Sequence, residues 1–269
     1  MKKNFLICVD LEGVHGVIGE PYKGLETDIP DYTLAVENAT KELNVVIKAL
    51  FDCGATLVAV WDNHGSGKNL DFSLLDKRIV RVENTAQSRY KRMSFAENFV
   101  FDGLILLGYH ARAGTAGVLA HTYSSKKIQY YKLHGKQVGE VEIDAYVAAS
   151  YRIPLLLLVA DDVCITQAKE THRDSLFAVT KYAKGRNQAE FIDENIVLSN
   201  IYKQTCACVN TNVKPICLEV PCREEIRFTR SEDAEKTVKK MREYGQKISF
   251  GEDLHTVYLD LLSMNDFIF

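Results

Sequence analysis

The sequence predicts an α/β protein with a largely parallel sheet flanked by helices. Short apolar runs typical of buried strands alternate with helical stretches, and most of these runs end in charged or imidazole side chains. Parallel sheets of this kind bind ligands at the carboxyl ends of their strands. We therefore expect a single domain over residues 1–269 with a functional site at that edge of the sheet.

The first half of the chain supplies the clearest elements. Asn4 to Val9 is an apolar strand candidate that runs into a glycine-punctuated loop ending at Gly19. Asp31 to Cys53 contains no glycine or proline and is followed by Gly54, which predicts a long helix. Further strands are predicted at 55–61, 104–107 and 154–159, and a helix at 139–151.

The second half is expected to elaborate this core. Alternating residues at 118–123 and 128–133 predict a β-hairpin or ribbon, and hence an elaboration around 113–137. Beyond it we predict a helix at 188–210, a strand at 213–220, and closing helices at 231–244 and 252–262. No repeat or flexible linker interrupts the chain, which favours one compact unit.

Composition narrows the class of protein. The chain has 269 residues, 46% of them hydrophobic and 26% charged, so disordered and fibrous proteins are excluded. The net charge is −3 and the basic residues are scattered, so we expect no nucleic acid partner. The first apolar run is interrupted by Asp10 and Glu12, too early for a signal peptide or a membrane span. We expect a cytoplasmic protein with no membrane partner.

The seven cysteines also favour a reducing compartment, because an odd number does not suit a disulfide framework. Four of them could be considered a zinc site, but their spacing matches no zinc knuckle. We interpret them as small buried hydrophobic side chains. The four are Cys206, Cys208, Cys217 and Cys222.

Asp10 and Glu12 lie two residues apart after the first strand, and in extended backbone they project to the same side. Carboxylates that close repel each other unless a cation lies between them. A helix cap and a solvated acid are the alternative interpretation of this pair. His64 and His110, each after a further strand, add two neutral ligands of the kind that zinc, manganese, iron or cobalt takes. Together these residues predict a metal site where three strands end.

Two assignments remain open from the residues alone. Glu140, Glu142 and Asp144 all lie at the start of one predicted helix, and their spacing does not choose among them as a further ligand. His121 lies in an apolar, β-like stretch, so it is either a core histidine or a base or oxyanion stabiliser beside the metals.

Four ordered motifs resemble those of the D-aminopeptidase family of dinuclear zinc metallopeptidases. They are VDLEGVHG, WDNHGSG, LLGYHARAGTAGVLAHT and VGEVEIDAYVA. The third motif is the most specific. The resemblance covers about two thirds of the chain, as far as Gly185 and Arg186, and fades in the C-terminal third.

The resemblance implies two zinc ions per subunit, with Asp10 as the carboxylate that bridges them. The two ligand shells would be completed by Glu12, His64, His110 and Glu140, which selects Glu140 among the three acids. His121 falls on the family's catalytic histidine, whose role is that of a nucleophile or a general base. The general-base role suits it better, because a two-metal site supplies the nucleophile and polarises the carbonyl but does not transfer the proton. The resemblance also implies a ring-shaped homo-oligomer, a decamer, with active sites facing an internal channel.

Five polar residues near these motifs receive weaker interpretations. His15 is interpreted as a loop side chain, with a group that contacts the metal ligands or a further polar group in the cleft as the alternatives. Arg112 is interpreted either as an anchor of its loop or as a ligand of a peptide carboxylate. Asp161 and Asp162 are interpreted as a helix N-cap, with recognition of a substrate amine as the alternative. Lys181 is interpreted as a solvated lysine, with a position facing the cleft as the alternative, because it matches a position of the family that the motifs resemble.

We therefore expect a zinc-dependent aminopeptidase that acts on short peptides, plausibly containing D-amino acids. One alternative keeps the metals but hydrolyses another small amide. The other is a non-catalytic relative that binds metal or peptide.

Overall fold

The computed structural model describes residues 3–83, 92–264 and 266–267. Its strands are β1 (Asn4–Val9), β2 (Leu57–Asp62), β3 (Val80–Arg81), β4 (Gly103–Tyr109), β5 (Ile128–Leu133), β6 (Lys136–Gln137), β7 (Leu155–Ala160), β8 (Leu176–Val179), β9 (Lys181–Gly185), β10 (Gln188–Phe191), β11 (Cys222–Phe228), β12 (Ile248–Phe250) and β13 (Thr256–Leu261). Its helices are α1 (Pro30–Asp52), α2 (Glu140–Ser150), α3 (Asp162–Thr171), α4 (Glu194–Cys208) and α5 (Ser231–Glu243). No helix among these residues is long and apolar enough to cross a membrane.

The centre of the molecule is a six-stranded sheet in the order β3-β2-β1-β4-β7-β8, in which all paired strands are parallel. Every residue of β4 and β7 is buried, because both faces of these strands are covered. Helices α1 and α4 pack on one face, while α2, α3 and a second sheet pack on the other. The predicted α/β class with a parallel sheet is confirmed.

The order in which the chain adds strands to this sheet changes direction at β1. The next strand along the chain, β2, pairs with β1 on one side, and β4 pairs with it on the other. Loops that leave neighbouring strands at such a point turn to opposite faces and open a crevice, which is where doubly wound sheets bind ligands.

The elaboration around 113–137 belongs to a five-stranded antiparallel sheet in the order β12-β13-β11-β5-β6. The expected pairing of segment 118–123 with 128–133 is wrong, because 118–123 is loop. Strand β5 instead pairs with β6 across the turn at His134 and Gly135, and with the distant strand β11 on its other side.

The C-terminal third also departs from the predicted elements. Segment 213–220 is irregular, and the strand begins only at Cys222. The closing helix expected at 252–262 is strand β13, which lies between β11 and β12. The helix expected at 188–210 is divided, since β10 forms a hairpin with β9 before α4 begins. Helix α5 agrees with its prediction.

Candidate metal centre

The predicted ligands lie together in the crevice at the carboxyl ends of β1, β2 and β4. Asp10, His64 and His110 each follow one of these strands by one or two residues, Glu12 lies on the loop after β1, and Glu140 opens α2. Three overlapping groups place their ligand atoms within 4.8 Å of one another. The groups are Asp10, Glu12 and His64; Asp10, His110 and Glu140; and Glu12, His110 and His121.

Two glycines allow the loops after β1 and β4 to approach so closely. The Gly13 amide donates to the Gly108 carbonyl over 2.7 Å. A Cβ at Gly13 would lie 1.8 Å from the Tyr109 carbonyl oxygen, and one at Gly108 would lie 2.1 Å from that of Asp10. Gly108 also has a φ of +75°, which favours glycine. The glycines thus bring the Asp10 and Glu12 loop against His110.

The two carboxylate oxygens of Asp10 face different partners. Oδ1 lies 2.9 Å from His64 Nδ1, which is also 3.1 Å from Glu12 Oε2. Oδ2 lies 3.5 Å from His110 Nε2, which is 3.3 Å from Glu140 Oε1. Asp10 therefore joins one cluster containing Glu12 and His64 to another containing His110 and Glu140.

The ring nitrogens of His110 and His121 are assigned by their backbone contacts. His110 Nδ1 contacts the Ala111 carbonyl at 3.1 Å, and His121 Nδ1 contacts the Leu119 carbonyl at 2.8 Å. Because a carbonyl can only accept, the Nδ1 atom of each ring carries a proton, and the Nε2 atom of each ring faces the carboxylates. The two rings stack with centroids 4.0 Å apart.

Asp10 and Glu12, the two acids near His64, are buried close together, so a neighbouring positive charge stabilises their ionised forms. Burial and the neighbouring Glu12 charge raise the pKa of Asp10 to about 7. Burial opposes the ionisation of Glu12, but the adjacent His64 holds the pKa of Glu12 well below its ordinary value. Burial would lower the pKa of His64, yet the charges of Glu12 and Asp10 raise it well above the ordinary value.

The second cluster behaves in the same way. Burial works against charge on His110, but Glu140 raises the pKa of His110 to about 10. Burial likewise opposes ionisation of Glu140, but His110 lowers the pKa of Glu140 to about 2. Protonated imidazoles therefore stand in for cations between buried acids. Within the described part of the chain, His110 Nε2 is buried without a hydrogen bond, so these residues fit a bound divalent metal.

His121 differs from the other two histidines. Its Nε2 atom lies 3.9 Å from both Glu12 Oε1 and Glu140 Oε1. Burial, followed by the neighbouring charge of His110, lowers the pKa of His121. The expected β-like setting of this residue is wrong, since it lies on the loop that folds back over His110.

The three competing acids at the start of α2 have separate environments. Glu140 faces the cluster and accepts a hydrogen bond of 2.7 Å from the Tyr123 amide. Glu142 turns back and accepts the Gly139 amide over 2.8 Å, as in a capping box. Asp144, fully buried, forms an ion pair with Arg92. Of the three, only Glu140 shares the site with His110.

Arg92 and its partners were missed from the sequence. The Arg92 guanidinium lies 5.1 Å from the centroid of Trp61 and hydrogen-bonds Asn63 Oδ1 at 3.1 Å. Asn63 and Tyr109 in turn donate to Asp144. This network braces the backbone just before His64 and His110. The feature of the sequence that could have indicated this network is that Asn63 and Tyr109 directly precede the predicted ligands His64 and His110.

The weaker interpretations had mixed outcomes. Asp161 caps α3 by accepting the Cys164 amide over 2.7 Å, as expected. Arg112 pairs with Glu170 at 3.6 Å and does not line the cleft. His15 contacts the Ile192 carbonyl over 2.7 Å, also outside the cleft. Lys181 is fully buried, so its interpretation as a solvated lysine is wrong.

The cysteines are all free thiols. Cys208 and Cys222 are buried as expected, whereas Cys217 is exposed and Cys206 is half-buried. The interpretation of the four as buried hydrophobic side chains therefore holds for two of them.

The candidate metal centre forms the floor of a cleft of about 970 Å³. Its wall includes Trp61, Leu119 and Tyr123, and its rim includes Lys68 and Arg186. A cleft of this size accommodates a small molecule or a short peptide. The fold and this cleft define an α/β protein with a candidate metal centre at the switch point of a parallel sheet.

Comparisons with known proteins agree with that description. A family model described as D-aminopeptidase matches residues 3–249, and the chain belongs to this family. A curated D-aminopeptidase from Bacillus subtilis (strain 168) is 29% identical over 183 residues, which are 67% of this chain and 64% of that protein. The match thus spans just under two thirds of that relative's length.

A solved structure shows the same fold. It is the Zn-dependent D-aminopeptidase DppA from Bacillus subtilis, described as a self-compartmentalizing protease. The TM-score is 0.85 at 24% sequence identity, and the alignment covers 97% of this chain and 93% of DppA. The α/β architecture, including the antiparallel sheet, is therefore that of a known fold.

Proposed function

We propose that this protein is a zinc-dependent aminopeptidase that removes the N-terminal residue of short peptides, with D-amino-acid peptides as the preferred substrates. The convergence of three carboxylates and two histidines on one cleft, in a member of the D-aminopeptidase family, carries this proposal. Two zinc ions per subunit are proposed, with Asp10 shared between them. Glu12 and His64 would complete one ligand set, and His110 and Glu140 the other.

Asp10 suits a shared position because its two oxygens face the two clusters separately. Bound there, the metal ions would activate water and polarise the carbonyl of the scissile peptide bond. The chain's own acids make the floor of the cleft negative, which attracts the ammonium group of a free N-terminus. Peptide length is limited by the cleft volume of about 970 Å³.

His121 is proposed as the general base. The His121 Nδ1–H group donates to the Leu119 carbonyl, which holds the ring and leaves Nε2 able to accept a proton. Nε2 would take the proton that the attacking water loses and return it to the departing amino group. The stacked position against His110 places this proton transfer beside the ligands.

The proposal extends to assembly and location. A ring-shaped homo-oligomer, a decamer, is proposed, supported by the description of its structural relative DppA as self-compartmentalizing. A cytoplasmic location is proposed because an odd number of cysteines suits a reducing compartment.

The test is turnover of a matched set of peptides by the purified protein. We expect two zinc ions per chain by metal analysis, loss of activity on chelation and recovery with added zinc. We expect cleavage of D-alanyl dipeptides faster than of their L counterparts, and none of N-acetylated versions.

Other outcomes identify the competing functions. Equal cleavage of the N-acetylated peptides would indicate hydrolysis of another small amide, since an aminopeptidase requires the free amine. Tight binding of peptides by the zinc-loaded protein, without any cleavage, would instead support a non-catalytic peptide-binding relative.

A further inference from the structure

Lys181, the first residue of β9, is a fully buried cation outside the proposed ligand set. Its ammonium group donates to the carbonyl oxygens of Glu12, Val14 and Val17, each over 2.7 Å. An ammonium group has three N–H donors, and these three acceptors match that number. All three acceptors belong to the loop after β1 that carries Asp10 and Glu12. Lys181 therefore occupies the concave side of the loop, as a small bound cation would.

Side chains from other elements hold the same loop. Thr180, beside Lys181, donates to the Gly13 carbonyl over 2.6 Å. Glu42 and Asn38 of α1 bind the amide and carbonyl of His15. Asp31, near the start of α1, accepts the amides of Ile18 and Gly19. The loop thus takes its shape from contacts to distant side chains.

A second buried side chain, Asp161, holds the loop that carries His121. Asp161 is itself fully buried and accepts the amide of Val118 over 3.0 Å. From the interior, Lys181 therefore holds the loop with Glu12, and Asp161 holds the loop with His121.

We propose that Lys181 is a positioning residue, a built-in cation that pre-shapes the loop after β1 so that Asp10 and Glu12 face the metals before any metal binds. This inference rests on the proposed zinc function. Its physical basis is that three charge-assisted hydrogen bonds fix carbonyls at three points within six residues of backbone. A loop fixed in this way does not lose conformational entropy when the metal arrives.

The experiment compares Lys181→Met with wild type and with the control Lys184→Met. Methionine keeps the unbranched apolar part of the side chain and removes the terminal ammonium group with its charge and donors. Lys184 lies three residues further along the same hairpin, is half exposed, and forms an ion pair of 2.9 Å with Glu190. The readouts are the zinc dissociation constant by chelator competition and the visible spectrum of the cobalt-loaded proteins.

For Lys181→Met we expect zinc binding 10- to 100-fold weaker, the range typical for loss of a group that orients a ligand. The cobalt spectrum should change in intensity, because the carboxylate of Glu12 shifts. Lys184→Met should match wild type in both readouts. A folded Lys181→Met protein with wild-type zinc affinity and spectrum would overturn the inference. If wild type itself bound no zinc, the proposed function would fail instead.

A second measurement covers the case in which Lys181→Met does not fold. Amide hydrogen exchange of the wild-type loop, at His15, Ile18 and Gly19, is followed with and without zinc. We expect slow exchange of these amides in both states, because the lysine and its neighbours order the loop without metal. Fast exchange that becomes slow only with zinc would show that the metal shapes the loop, and the inference would be wrong.

Discussion

His110 and His121 show how one contact can prepare an imidazole for a particular task. Each ring donates its Nδ1–H group to a nearby backbone carbonyl, and each turns Nε2 towards the carboxylates. His110 Nε2 is the nearer of the two to Glu140, at 3.3 Å against 3.9 Å for His121. This difference favours His110 as a ligand and His121 as a base, although His121 also completes one possible ligand group with Glu12 and His110.

Replacing His121 separates these two roles. For His121→Ala we expect kcat to fall by roughly 10² to 10⁴, the usual contribution of a general base, with zinc content unchanged. The measurements are steady-state kinetics and metal analysis on the same preparation. His255→Ala, which removes an imidazole far from the cleft, serves as the control.

Two results would contradict the assignment of His121. Near wild-type turnover would remove the base role altogether. Loss of zinc together with activity would show instead that His121 is a ligand.

At the scale of elements, helix α3 ends on a buried histidine. His172 caps the C-terminal end of the helix, and its amide donates to the Ala168 carbonyl over 2.7 Å. The ring lies 6.1 Å from that of Tyr146, and Nε2 is buried without a hydrogen-bond partner among the described residues. Burial lowers the pKa of His172 to about 4 from the ordinary value of 6.5. The native packing therefore requires a neutral ring.

The lowered pKa of His172 makes the free energy of unfolding depend on pH. The unfolded chain takes up the proton near pH 6.5, whereas the folded protein resists it until about pH 4. The free energy of unfolding should therefore decrease as the pH falls through this window, by up to about 3 kcal/mol from this one group. His172→Phe, which keeps the ring, should show a smaller decrease.

Urea unfolding of the metal-free proteins between pH 7 and 4 measures this difference without a contribution from metal release. NMR of the wild-type imidazole should also show His172 neutral well below pH 6. Parallel stability profiles for the two proteins would contradict the assignment.

The C-terminal strands are stabilised by pairing partners that are distant in sequence. Strand β13 was predicted as part of a helix, yet its alternating burial fits its place between β11 and β12. Its partners lie about thirty residues upstream in β11, and β11 in turn pairs with β5, some ninety residues earlier. Local residue preferences do not encode pairing between segments that are distant in sequence. The residues of β13 alone therefore did not distinguish a strand from a helix.

At the scale of the whole molecule, the proposed decamer predicts a defined mass in solution. Size-exclusion chromatography with light scattering should give a mass near ten chains of 30.4 kDa. The expected benefit of a closed ring is restriction of the active sites to short peptides. A mass of one chain at micromolar concentration would rule out the proposed oligomer, and a smaller ring would exclude only the decamer.

The amino-acid sequence by itself determined the parallel core and the position of its site. Strands buried on both faces are continuous apolar runs, so β1, β2, β4 and β7 were visible without any partner. The residues after three of them, Asp10, His64 and His110, were candidates because parallel strands end at a common edge. The apolar runs and the polar residues after them are properties of short, continuous segments, so they can be recognised in the sequence alone.

Only the tertiary structure decided which side chains share that edge. Glu140, Glu142 and Asp144 follow each other within five residues. Glu140 and Asp144 are distinguished by Tyr123 and Arg92, which are distant in sequence, whereas Glu142 binds the neighbouring Gly139. Lys181 looks like a surface lysine until the loop after β1 folds around it. Burial and charge pairing act through space, so the environment of each acid and of this lysine exists only once distant segments have packed together.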